Sequence, residues 1–91
     1  MRQLVWAAEA RLDAAAIFNF ISERNAPAAD KMKALITDKA QQLIEFPFIH
    51  RIGRVDNTRE AVIHPNYIII YRVYEDRVRI LSVVHARKQY P

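Results

Sequence analysis

Hydrophobic and polar positions alternate most regularly in the second half of the chain. Residues 58–64, 67–74 and 77–85 are short runs rich in Ile, Val and Tyr, broken by the pairs Pro65-Asn66 and Glu75-Asp76. Runs of this length and composition between turn residues predict three consecutive antiparallel strands. The first half repeats differently. Across residues 8–24, Ala10, Ala14, Ile17 and Phe20/Ile21 recur every three or four positions, with Asp13, Asn19 and Glu23 off the stripe. From residue 27 to about 46, a second stripe runs Ala29, Met32, Ile36, Ala40, Leu43. Both spacings keep side chains on one face of a helix. Pro27 suits a first helical position, because its missing N–H would be unpaired there. That makes Ala26 the cap, a poor one, and fixes the helix start only to within a residue. So short a joint predicts an antiparallel helical hairpin. Residues 2–6, with Leu4 and Trp6 on one side, form a candidate first strand. The expected fold class is α+β: a short N-terminal strand, a helical hairpin, then a three-stranded antiparallel meander (βααβββ).

Two-residue turns would set the register of the meander. Tyr74 then pairs with Arg77 and Arg72 with Arg79, while His64 pairs with Tyr67 and Arg59 with Arg72. Directly paired residues share a face. One face collects Ile69, Tyr71, Val73, Val78, Ile80 and Val84, which makes a core. The other collects Arg59, Arg72 and Arg79 side by side, with Arg77 and His85, and with Ile68, Ile70, Leu81 and Val83 among them. Like charges directly opposite one another are destabilising. Two explanations stand. An anion neutralises the row, as nucleic-acid phosphate or the carboxylates of an acidic partner would. Alternatively the face is merely solvated and the register slips by one, since neither turn contains the glycine that would pin it.

The charge distribution bears on this choice. Residues 1–50 hold six Lys/Arg and six Asp/Glu, whereas residues 51–91 hold eight against four. The whole net charge of +4 therefore sits in the strand half, where every cation except Lys88 is an arginine. Guanidinium suits multidentate contact with phosphate or carboxylate. Ninety-one residues suffice for one domain, 1–91. An apolar fraction of 52% places the chain with globular rather than disordered proteins. The lack of cysteine excludes disulfides and thiolate metal sites. No basic segment leads an apolar run at the amino terminus and no run approaches membrane-spanning length, so a cytoplasmic protein without a membrane partner is expected.

Little else in the sequence carries chemistry. One glycine, Gly53, cannot build a phosphate-cradling loop. His50, His64 and His85 lie on separate segments without metal-ligand spacing, so neither a cofactor nor a metal is expected. Residues 48–57, where Arg51 and Arg54 flank Gly53, are either a plain crossover or a basic loop reaching over a bound anion. The run His85-Ala86-Arg87-Lys88-Gln89-Tyr90 is the remaining candidate. Metal-free RNA cleavage needs a base for the 2′-hydroxyl, an acid for the leaving oxygen, and cations for the pentavalent phosphate. His85, Tyr90 and the arginines carry such groups. The plainer assignment is that His85 ends a strand, Tyr90 packs in the core, and Arg87 and Lys88 bind a partner.

Several strings resemble one family. Trp6, Ala10, Leu12, Ile17 and Phe20-Ile21 look like its opening helix, and Gly53-Arg54-Val55 followed by Thr58-Arg59-Glu60 like the approach to its second strand. Asn66-Tyr67-Ile68-Ile69-Ile70-Tyr71-Arg72-Val73 and Val84-His85-Ala86-Arg87, ending in Tyr90-Pro91, are similar to its two most recognisable strings. In this order and spacing, over essentially the whole chain, they resemble the RelE/ParE superfamily of toxins from type II toxin–antitoxin systems. The resemblance implies a RelE/ParE-like fold and a toxin that causes growth arrest. RelE-like members cleave mRNA in the ribosomal A site, whereas ParE-like members poison DNA gyrase. The 66–73 string and the ending are closer to the ParE side. Lysines that some ribonuclease members carry before the second strand have no match here, where Arg51 and Arg54 stand.

The expectation is therefore a ParE-like DNA gyrase inhibitor, neutralised by a cognate antitoxin in a hetero-oligomer. Arg54, Arg59, Arg72, Arg79, Arg87 and Lys88 would be its target or antitoxin contacts. The alternative implied by the resemblance is a metal-independent endoribonuclease acting on ribosome-bound mRNA, with Arg59, His85, Arg87 and Tyr90 as catalytic groups. An apolar strip beside arginines is what an antitoxin segment would cover.

Overall fold

The structure, a computed structural model, describes residues 2–87. In chain order it comprises β1 (Gln3–Trp6), α1 (Ala8–Ser22), α2 (Ala26–Glu45), β2 (Arg51–Ile52), β3 (Arg59–His64), β4 (Tyr67–Val73) and β5 (Arg77–His85). The strands form a mixed sheet in the order β1-β5-β4-β3-β2. β1 runs parallel to β5, and the other neighbours are antiparallel. The helical hairpin covers one face. The strand β2, only two residues long, lies within a stretch that reads as connection in the sequence.

The helices form for the reasons their stripes suggest. Ala29, Met32, Ile36, Ala40 and Leu43 of α2 are all buried. Asn25, not Ala26, caps this helix: its Oδ1 accepts the Ala28 N–H at 3.1 Å, and Ala26 and Pro27 make the first turn. On α1, the small residues Ala10 and Ala14 are buried and let the helix approach the sheet. Phe20 leaves the expected stripe. It is 54% exposed, with the Arg24 guanidinium 3.8 Å from its ring centroid, while Phe18, Ile17 and Ile21 pack against the core.

Two β-bulges correct the expected register. In β3 the pairing shifts between Val62 and His64, so Arg59 pairs with Tyr71 rather than Arg72. In β5, Ile70 pairs with Ser82 but Tyr71 with Ile80, so Leu81 is the extra residue. Beyond that bulge Val83, not Val84, joins the core. The physical reason lies in two polar residues. An uninterrupted register would set Glu60 opposite Tyr71 and turn Ser82 toward the helices, and burying such groups unpartnered is costly. The bulges carry both to the second face. There Glu60, 4% exposed, accepts from Arg51 Nε at 2.8 Å and from the Arg54 backbone N–H at 3.1 Å.

Three contacts hold the layers and the edge together. Tyr71, fully buried, donates its hydroxyl to the Pro47 carbonyl at 2.7 Å and ties the end of α2 to the sheet centre. Where β1 stops, the Ala7 N–H reaches the Ile80 carbonyl at 2.9 Å. The Asp13 carboxylate of α1 then accepts the Val83 N–H at 2.9 Å, so the helix satisfies the β5 edge that β1 leaves open. On the other side of the sheet, residues 53–58 turn tightly. Gly53 N–H bonds to the Thr58 carbonyl at 2.8 Å, and Asn57 takes a left-handed φ of 63°.

Candidate functional site

The register places a cationic cluster at the β4–β5 turn, on the face away from the helices. Arg72 and Arg79 are direct cross-strand partners, and alternation puts Tyr74 and Arg77 on the same face. Arg72 donates through Nε to the Asn57 carbonyl and through Nη2 to the Asp56 carbonyl, both at 3.3 Å. Its hydrogen bond to the Tyr74 phenol, followed by the fields of Arg72, Arg77 and Arg79, holds that phenol below the usual tyrosine range. Arg77 lies 3.9 Å from the Tyr74 ring centroid and pairs with Asp76 at 2.8 Å. The Arg79 side chain is exposed and makes no hydrogen bond or ion pair with another described residue. Tyr74 was legible as a member of this cluster, since two-residue alternation from Arg72 leads to it, although composition directs attention to the arginines alone.

The opposite end of the sheet, on the helix face, carries a row of rings. Tyr67 stands between its cross-strand partners His64 and His85, with centroids 5.8 Å and 5.4 Å away. In each histidine Nδ1 accepts the backbone N–H two residues on, Asn66 at 3.0 Å and Arg87 at 3.1 Å. A groove of about 370 Å³ between α1 and the end of β5 is lined by Asp13, Ile17, Phe20, Tyr67, Val83 and His85, among others. Arg87 is exposed just beyond it.

These positions rearrange the expected site. His85 does not lie beside the arginines: it is on the other face and about 20 Å along β5 from Arg79. Arg59 leaves the row as well. It points to the helix side, where Nη1 donates to the Phe48 and His50 carbonyls at 3.2 and 2.8 Å and its guanidinium lies 5.1 Å from the Phe48 ring centroid. Phe48 also meets Arg2, at 5.5 Å. His50, lowered in pKa by burial and then by the charges of Lys39 and Arg59, stands edge-on to Tyr71. Arg59 and His85 share a face but are about 16 Å apart, four residues along and two strands across. Arg54 lies in the loop over the second face, exposed. Lys88 and Tyr90 fall outside the described residues. Among the described residues, no three His, Asp or Glu cluster as a metal site would require, and no helix is long and apolar enough to cross a membrane.

This architecture has close counterparts. Toxin RelE2 of Caulobacter vibrioides is 33% identical over 88 residues, covering 97% of this chain and 99% of its own. Y4kP of Sinorhizobium fredii is 40% identical over 73 residues, 79% of this chain and 75% of its own. Among solved structures, that of the chromosomal ParDE toxin–antitoxin system of P. aeruginosa superposes with a TM-score of 0.82 at 21% identity, over 93% of this chain and 96% of the other. Residues 4–90 match the family model of the ParE toxin of the type II toxin–antitoxin system parDE, and with nearly the whole length accounted for, the chain belongs to that toxin family within the RelE/ParE superfamily.

Proposed function

We propose that this toxin acts by binding rather than by chemistry, as an inhibitor of DNA gyrase that a cognate antitoxin neutralises. One observation carries the choice of mechanism. Of the groups that RNA cleavage would have to bring around a single phosphate, Arg59 is committed to backbone carbonyls and stands about 16 Å from His85. The cations that do gather, Arg72, Arg77 and Arg79, form a contact surface with no described histidine beside them, and their acidic neighbours are Glu75 and Asp76 of the turn, the latter paired with Arg77. Family membership and likeness to a ParDE structure support the same reading. Arg54, Arg72, Arg79, Arg87 and Lys88 are the proposed contacts, with Arg59 reassigned to holding the 48–50 segment. The antitoxin would lay apolar side chains into the groove beside Phe20 and Val83, with its acidic residues toward Arg87.

The name RelE2 of the Caulobacter relative favours the second reading, a ribosome-dependent endoribonuclease, and one experiment separates the two. Purified antitoxin-free toxin is assayed for gyrase supercoiling with accumulation of cleaved DNA, and by primer extension on a message under translation. The proposal expects linearised DNA and intact mRNA, with Arg79→Ala/Arg87→Ala lowering the gyrase effect. Codon-phased cuts with normal supercoiling would reverse it.

A further inference from the structure

The cluster at the β4–β5 turn has a composition that a protein target alone does not require. Arg72 and Arg79 face each other directly, an arrangement that is unfavourable until something negative lies between them. Arg77 is two residues from Arg79 on the same strand, so the three guanidiniums originate within about 7 Å of one another. Arg2 adds a cation at this end but toward the helix side, its Nε bonded to the Tyr74 carbonyl at 2.8 Å and its guanidinium 5.5 Å from the Phe48 ring centroid. The acidic neighbours are Glu75 and Asp76 in the turn, and Asp76 shows what a carboxylate does here: it takes one guanidinium, that of Arg77, at 2.8 Å. That contact is a single N–H donated by Arg77 Nη1, and it leaves Arg79 without an anion. A phosphodiester presents its non-bridging oxygens in different directions and suits donors approaching from adjacent strands, here the exposed fork of Arg79 and the N–H groups of Arg72 that the carbonyls of residues 56 and 57 leave over. Arg77 already covers one face of the Tyr74 ring, which leaves it a poorer platform for an unstacked base than a bare aromatic ring.

We propose that Arg72, Arg77 and Arg79, with Tyr74, bind the phosphodiester backbone of duplex nucleic acid. The contact is independent of sequence, because the cluster presents cations to phosphates and nothing aimed at base edges. It goes beyond gyrase inhibition, which needs no nucleic-acid contact by this chain, and rests on that reading only in that the duplex would be the one gyrase holds.

The test omits gyrase, so its failure and that of the functional reading are distinguishable. Binding of the purified full chain to a short fluorescent duplex is followed by anisotropy over roughly 50–200 mM salt. Each phosphate contact contributes about 0.9 to the slope of log affinity against log salt. Arg79→Gln should lower the slope by about 1 and Arg72→Gln/Arg79→Gln by about 2, while Arg24→Gln, which removes one charge on the helical hairpin, leaves it unchanged. Arg72 also holds residues 56 and 57, so Arg79→Gln, whose side chain has no described partner, carries the test if the double variant misfolds. An Arg79→Gln slope equal to that of Arg24→Gln would overturn the proposal. So would tighter binding to single strands than to duplex. Preferential binding of polyglutamate would overturn it too, and assign the cluster to an acidic protein.

Discussion

Replacing Tyr71 by phenylalanine removes one oxygen from the centre of the molecule and should change how stability depends on pH. The Tyr71 hydroxyl is fully buried and donates to the Pro47 carbonyl at 2.7 Å. Without it, that carbonyl loses its donor in an interior site, a loss of about 1–2 kcal/mol at neutral pH. The same burial, opposed by the charge of Arg59, raises the phenol from 10.0 to about 12. Because the folded value lies above the unfolded one, the stabilisation is fully present below the unfolded value and is lost as pH climbs through the folded value. Two units amount to at most about 2.7 kcal/mol, of which roughly half is lost by about pH 11. The advantage of the wild type over Tyr71→Phe should therefore vanish near about pH 11 and reverse above it. Urea unfolding of both proteins from about pH 8 upward, followed by the fluorescence of Trp6, measures this. Taking the difference between them cancels the other tyrosines and the lysines. A difference that stays constant across the range would refute the reasoning, as would equal stability at neutral pH.

Two further substitutions probe local devices. Asn25→Ala removes the side-chain acceptor at the start of α2 and should cost about 1 kcal/mol, whereas Asn25→Asp should keep most of it; thermal melts that rank the two equally would contradict the cap assignment. Gly53→Ala would place a methyl group against Thr58 Oγ1 and 3.2 Å from the Thr58 backbone. Since that hydroxyl is held by the Val55 carbonyl at 2.6 Å, the 53–58 turn must shift and loosen the Arg54–Glu60 bond. Faster amide exchange confined to residues 53–60, with α2 unaffected, is the expected signature, and unchanged exchange would show that the turn absorbs the methyl group.

Most of this fold could be read from residue types, and the errors share one cause. The α2 stripe was legible in all five positions because polar residues separate them cleanly, giving the period no rival. The Asn25 cap was hidden by Pro27, which is equally at home one residue later than its commonest place. In the strands, Ile68-Ile69-Ile70 is apolar on both faces, so alternation cannot reveal which residue looks inward. The bulges at Ile63 and Leu81 then pass unnoticed. Yet their signature was present: a continuous register drives Glu60 and Ser82 into the core, and such residues in core positions argue for a skipped residue. That signature alone separates Arg59 from Arg72 and His85 from the arginines. The β2 pairing had no comparable signal, because two residues hold no period. It exists through the Glu60 carboxylate and the Gly53 turn, which are tertiary contacts.

The parallel pairing of β1 with β5 has a consequence for how the toxin comes into being. Gln3 is matched to Arg77 and Trp6 to Ile80, so β1 waits for a partner made 74 residues later, at residue 77 against residue 3. At usual elongation rates that wait is about 4–15 s per molecule. Contacts of such long sequence separation also slow folding once the chain is free. The helical hairpin and the β3–β4 ribbon can form from local contacts during synthesis, but the inner surfaces of Leu4 and Trp6 find their place only when β5 has emerged. Closure of the sheet thus waits on the synthesis of β5, and a chain stopped within β5 leaves β1 without its partner instead of yielding a smaller toxin.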